Sequence, residues 1–234
     1  TVLLKFDLLL ADGREIYYEI LVEAVGQQLT AQEYFPKNLP SFCPDRHINY
    51  GGSFCMYWEG DTKFTIRDEQ DAIAWFETLL QFLKLQVRAE KKKAWPNDDY
   101  WSHGDAAKYQ QLCYQAAQGI SEDFVQYLKN KTITTKYCKA QNKQGDFIKV
   151  YLYQKHFYTI WVDHKKTAAL KSKCFCKSGK KLKKCVNHAE LSFEFAYNLY
   201  KWVQSENEYW MFIKEQNIVC CGTLENCPLK KANL

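Results

Sequence analysis

Cys174 and Cys176 stand one residue apart in this chain of 234 residues, and Cys185 follows after Ser178-Gly179 and a run of lysines. No other feature of the sequence restricts its folding so tightly. Two thiols at that spacing can share one turn of backbone and one ion. Gly179 lets the chain reverse, and Cys185 returns to the same point. A tetrahedral zinc needs four ligands, and His188 is near enough in sequence to supply the last. Cys220, Cys221 and Cys227 remain open as alternatives for that fourth place. The lysine-rich stretch 165–184 favours deprotonated thiols. A zinc with four protein ligands has no open position for chemistry, so the expected role is structural. The competing reading is a lysine-rich surface loop with incidental cysteines.

The segment also resembles the SEC-C motif, a small zinc module found at the C-terminus of the SecA translocase and of many bacterial proteins. Cys174, Cys176, Ser178, Gly179, Lys180, Lys181, Lys183, Lys184 and Cys185 stand where that motif has them. Phe175 replaces its proline and Lys177 its first glycine; Val186 occupies its final ligand position, which moves that role to His188. The resemblance implies zinc as the cofactor, and a docking surface whose lysines could meet an acidic protein partner.

Ten cysteines would suit a secreted disulfide scaffold, but these form a Cys-x-Cys, a vicinal pair and singles. No basic stretch followed by a long apolar run opens the chain, so a reducing, cytoplasmic setting is expected, where such clusters bind metal or do chemistry. No apolar run is long enough to span a membrane. The net charge of +5 gives no reason by itself to expect nucleic acid.

The pattern along the chain predicts an α+β protein. Residues 2–10 and 15–22 read as strands of a hairpin around Ala11-Asp12-Gly13. Residues 34–53, punctuated by Pro36, Pro40, Pro44 and Gly51-Gly52, read as irregular backbone around a site, followed by a short strand 53–58. A helix over 69–90, capped by Asp68, should bury Ala72, Ile73, Phe76, Leu79, Leu80, Leu83 and Val87. Helices follow at 103–118, ended by Gly119, and at 122–129, capped by Ser121. A second hairpin covers 146–162, and a long aromatic helix covers 189–214. Trp75, Trp202 and Trp210 are expected in the core, and His103 is expected to be structural or exposed. The domain boundary is placed near 118–140, giving domains 1–118 and 119–234.

The most informative stretch runs from Phe42 to Met56. Ubiquitin-conjugating enzymes carry His-Pro-Asn, a glycine-containing loop, and a catalytic cysteine in a Ser-Ile-Cys-Leu type context. His47-Ile48-Asn49 and Ser53-Phe54-Cys55-Met56 resemble these two elements. The preceding strands, the proline-rich approach and the helix after the cysteine follow the same plan. Ile48 stands in place of proline, the spacing from Asn49 to Cys55 is shorter, and the family's usual first helix has no counterpart before the first strand.

Over residues 1–118 the resemblance implies a ubiquitin-conjugating-like antiparallel sheet with flanking helices, followed by an α+β zinc-containing C-terminal domain. It implies acyl transfer through a thioester on Cys55, from a protein C-terminal glycine to an amine. Asn49 would donate to the oxyanion and His47 would hold the loop in shape. The implied partners are an activating enzyme and a ubiquitin-like modifier or nucleotide cyclase, as in bacterial antiphage operons such as CBASS. Four alternatives stay open: a non-catalytic zinc adaptor, a zinc protein that binds nucleic acid, an inert buried Cys55, and a second metal site of Cys43, His47 and Cys55.

Overall fold

The computed structural model describes residues 1–26, 28–58, 65–96, 101–140, 145–168, 173–175, 178–216, 218–219 and 221–230. The chain divides into two compact units, Thr1–Trp101 with Phe212–Leu234, and Ser102–Met211. The helix expected over 103–118 is thus counted with the second unit.

The first unit holds a three-stranded antiparallel sheet in the order β1 (Val2–Leu9), β2 (Glu15–Val25), β3 (Gln28–Glu33). The β1–β2 hairpin closes through Leu10 N–H to Arg14 O at 2.9 Å, and Gly13 takes a φ of 84° that favours glycine. Alternation puts Tyr18, Ile20 and Val22 on one face, where they join Leu8, Ala31, Ile48 and Phe54 in the core. Helix α1 (Glu69–Lys92) covers this face. The Asp68 side chain caps it as expected, accepting from Asp71 N–H at 2.9 Å.

The buried face of α1 differs from the expected one. Trp75, Leu79, Phe82, Leu83, Leu85, Gln86 and Ala89 are buried, whereas Ile73 is 53% exposed. Two large aromatic side chains, with Phe82 centred 5.0 Å from Phe54, set the rotation of the helix. Aliphatic spacing alone does not weigh them.

Gln86 is buried because it serves Arg46. The Arg46 guanidinium donates to Gln86 Oε1 at 2.8 Å and to its main-chain oxygen at 3.2 Å, and Gln86 Nε2 donates back to Arg46 O at 2.7 Å. A guanidinium only 1% exposed is tolerable because its hydrogen bonds are made within the protein.

The second unit packs α2 (Ala106–Ile120), α3 (Glu122–Lys129) and α4 (Ala189–Glu215) with a four-stranded antiparallel sheet, β4 (Ile133–Cys138), β5 (Phe147–Leu152), β6 (Lys155–Trp161) and β7 (Lys166–Thr167). Gly119 does not end α2. It lies within the helix, where an added Cβ would stand 3.0 Å from a methyl carbon of Leu191, a tight contact that the missing side chain avoids. Trp75 is core, but Trp202 and Trp210 are half-buried. Their indole N–H groups donate to Ser102 Oγ and to Glu206 Oε1, which keeps one edge of each ring among polar atoms. No helix among the described residues is long and apolar enough to cross a membrane.

Candidate functional site

The turn around Cys55 is built almost wholly from backbone bonds. Pro44–Arg46 forms a single 3-10 turn, after which His47 takes a left-handed conformation (φ 55°, ψ 39°). That conformation is uncommon for a non-glycine residue and lets the chain double back at once. Cys43 and Ile48 then exchange N–H···O bonds of 3.0 Å in both directions. Asn49 N–H donates to Ser53 O at 2.8 Å across Gly51 and Gly52, whose φ values of 85° and 90° suit glycine. Finally, Cys55 N–H donates to His47 O at 2.8 Å.

The three residues singled out from the sequence therefore lie on one small structure. Ile48, Phe54 and Met56 are buried and anchor it. Cys55, between two of them, is half-exposed, and Asn49 is exposed. Asn49 Nδ2 donates to Ser53 Oγ at 3.4 Å, a long bond that can be exchanged for another acceptor. The His47 ring is buried, 5.1 Å from the ring of Trp95. The expected strand 53–58 reduces to bridge pairs at Ser53 and Phe54, so Cys55 sits just past the paired stretch.

The approach to this turn is held by Glu33, a buried carboxylate the sequence reading passed over. It accepts from the main-chain N–H of Lys37, Asn38 and Leu39 at 3.0–3.3 Å and from Asn38 Nδ2 at 3.0 Å. An acid in a strand directly before a proline-broken loop was the available signal.

In the second unit the described residues of the knuckle fold back on one another. Lys173 and Lys181 form an antiparallel bridge, Cys174 N–H donates to Lys180 O at 2.8 Å, and Gly179 reverses the chain at φ 71°. Leu182 anchors a 3-10 turn in the core, and Phe175 packs 4.5 Å from the Phe124 ring. Cys174 Sγ and Cys185 Sγ lie 3.3 and 3.4 Å from His188 Nδ1, and the three donors fall within 4.8 Å of one another.

All three side chains are buried, the cysteines 5% and the histidine 9% exposed. A tetrahedral ion bound at Zn–S and Zn–N lengths would hold sulfur and nitrogen about 3.5 Å apart, so the donor set fits a metal. Cys176 lies outside the described residues, as does Cys220. Cys221 Sγ is 2.9 Å from Cys43 Sγ. Among the described residues no cluster of Cys43, His47 and Cys55 forms a metal-ligand group. His103 is structural: its Nδ1 lies 2.7 Å from Glu206 Oε1 and its ring stacks on Tyr209.

A family model described as "Prokaryotic E2 domain" matches residues 1–97. A second, described as "Cysteine-rich domain, C-terminal to E2 domain", matches residues 102–229. No curated protein and no solved structure matches the chain.

Proposed function

The chain belongs to the family in which a prokaryotic E2 domain is followed by a cysteine-rich C-terminal domain, and on that premise we propose that it conjugates a ubiquitin-like modifier through a thioester on Cys55. The observation that carries this reading is the turn itself. Cys55, half-buried between buried neighbours, is held by a main-chain bond to His47, and Asn49 is displayed on the same turn. Such exposure is what a nucleophilic cysteine needs and what an inert core cysteine lacks.

In the proposed reaction the Cys55 thiolate attacks the C-terminal glycine carbonyl of a modifier carried as a thioester on an activating enzyme. The activating enzyme's thiolate leaves, and the acyl group rests on Cys55. An amine then attacks the same carbon, the Cys55 thiolate leaves, and the amine proton passes to solvent. Asn49 Nδ2 exchanges its long bond to Ser53 for one to the developing oxyanion. His47 is a positioning residue, acting through its carbonyl on Cys55 N–H.

The knuckle takes zinc, with Cys174, Cys185 and His188 as ligands and Cys176 completing the set expected from the sequence. Bound there, the ion fastens the chain at the start of α4 and performs no chemistry. The exposed lysines beside it, Lys180, Lys183 and Lys184, offer a basic face for an acidic partner. An operon pairing with an activating enzyme, as in antiphage defence, supplies the setting.

The test is to mix the protein with the activating enzyme and modifier encoded beside it and resolve adducts with and without reductant. A reductant-sensitive adduct lost in Cys55→Ala supports the proposal. An adduct that survives Cys55→Ala, or a Cys55 inert to alkylation in the folded protein, leaves the adaptor reading in its place.

A further inference from the structure

The tail holds a thiol that the conjugation reaction does not use. Cys221 Sγ lies 2.9 Å from Cys43 Sγ, across 178 positions of sequence and within the same compact unit. A disulfide bond is about 2.05 Å long, so the two sulfurs are roughly 0.9 Å short of bonding. Cys227 is buried in the same unit, but among the described residues it does not come close enough to both sulfurs to complete a metal-ligand group. Cys43 and Cys221 are the two sulfurs in direct contact.

We propose that Cys43 and Cys221 are a redox-active dithiol that reacts by exchange with low-molecular-mass disulfides, covalently fastening the C-terminal tail to the turn that carries His47 and Asn49.

The two sulfurs are not equivalent. Cys43 is 2% exposed, whereas Cys221 is half-exposed and also touches Thr223 Oγ1 at 3.0 Å. Their mutual hydrogen bond, and then Thr223 and the charge of Arg46, pull the Cys221 thiol down to about 5 against the cost of burial. The same contact, burial and the neighbouring Cys227 push Cys43 up. Cys221 is thus the more accessible sulfur, the one that attacks, and Cys43 the protected thiol that resolves.

In the first step Cys221 Sγ attacks one sulfur of an external disulfide. The external S–S bond breaks, one thiolate leaves and takes a proton from solvent, and a mixed disulfide remains on Cys221. In the second, Cys43 gives its proton to solvent and attacks Cys221 Sγ. The mixed bond breaks, the second external thiol departs, and the Cys43–Cys221 bond forms. One external disulfide is reduced to two thiols as the protein pair is oxidised.

The bond would land on a sensitive place. Cys43 exchanges both main-chain hydrogen bonds with Ile48, which lies between His47 and Asn49. Restraining Cys43 restrains that turn. The inference does not depend on Cys55 acting as a nucleophile.

The experiment equilibrates the full, metal-loaded chain with oxidised and reduced glutathione, quenches with acid and maps peptides without reduction. The expected result is a linked Cys43–Cys221 peptide that vanishes on reduction. Cys43→Ser should accumulate glutathione on Cys221, roughly tenfold above the wild-type chain, because the resolving thiol is gone. Cys221→Ser should leave Cys43 unmodified, because Cys43 is buried. Three outcomes would overturn the inference: no linked peptide although Cys221 alkylates, Cys221 linked instead to another cysteine, or loss of bound metal in Cys43→Ser, which would make the pair metal ligands.

Discussion

The turn at Cys55 and the knuckle at Cys174 use the same construction for opposite ends. Each reverses the chain at glycine, closes with short main-chain bonds and is pinned by buried apolar residues, Ile48 and Phe54 in one, Leu182 in the other, with the half-buried Phe175 packed beside it. In the first the cysteine stays half-exposed beside an exposed amide. In the second, two thiols and an imidazole are buried facing one another. The difference lies in what surrounds the sulfur. An accessible thiol can exchange its acyl partner, whereas converged and buried thiols are suited to holding an ion that is not released.

The sharpest way to break this contrast is at the knuckle. Cys174→Ser or Cys185→Ser should lose bound zinc and unfold much of the second unit, because metal-binding free energy is folding free energy there, on the order of 10 kcal/mol in small zinc modules. Cys55→Ser should leave metal content and melting temperature almost unchanged. Metal analysis and thermal denaturation of the two variants decide it; equal losses would mean the two turns do not differ as described.

The first unit should depend on apolar packing. Leu83, fully buried, should cost about 2–5 kcal/mol on replacement by alanine, whereas Ile73→Ala should stay within about 0.5 kcal/mol. Urea titration measures both, and an equal cost would return α1 to the face expected from its aliphatic spacing. At the turn itself, Asn49→Ala should leave Cys55 loading intact and slow discharge to an amine by about 10²-fold, as for other oxyanion donors. Single-turnover discharge kinetics test this, and unchanged discharge would remove Asn49 from the reaction. The smallest effect is expected at the helix behind the turn. Asp68→Ala should cost about 1 kcal/mol through the lost cap, with Cys55 reactivity unaltered.

The strongly patterned parts of this fold are legible in the sequence. The first hairpin, the Asp68 cap, α3, the aromatic hairpin of β5 and β6, and nearly all of α4 follow from periodicity and end signals. What escapes has specific causes. Strand β3, Gln-Leu-Thr-Ala-Gln-Glu, buries only Ala31 and Glu33, so it carries little apolar alternation. Strand β4 lies in the Lys/Thr/Gln-rich segment that reads as a boundary; only Ile133 is fully buried there. Gly119 reads as a helix end because its close packing against Leu191 is a tertiary contact. The grouping of Cys174, Cys185 and His188 is legible because they are neighbours in sequence, while the Cys43–Cys221 contact, 178 positions apart, leaves no spacing to read.

The buried pairing of Arg46 with Gln86 bears on how such a chain can drift over time. Each side chain answers the other's hydrogen-bonding groups, and the loop that leads to His47 hangs on that exchange. Replacing glutamine alone strands a guanidinium in the core; replacing arginine alone strands an amide. Either intermediate is a poorer protein than the start or the finish. A route to an apolar pair at these positions therefore crosses a valley, and the two residues should be inherited as a unit even where their neighbours on α1 change freely.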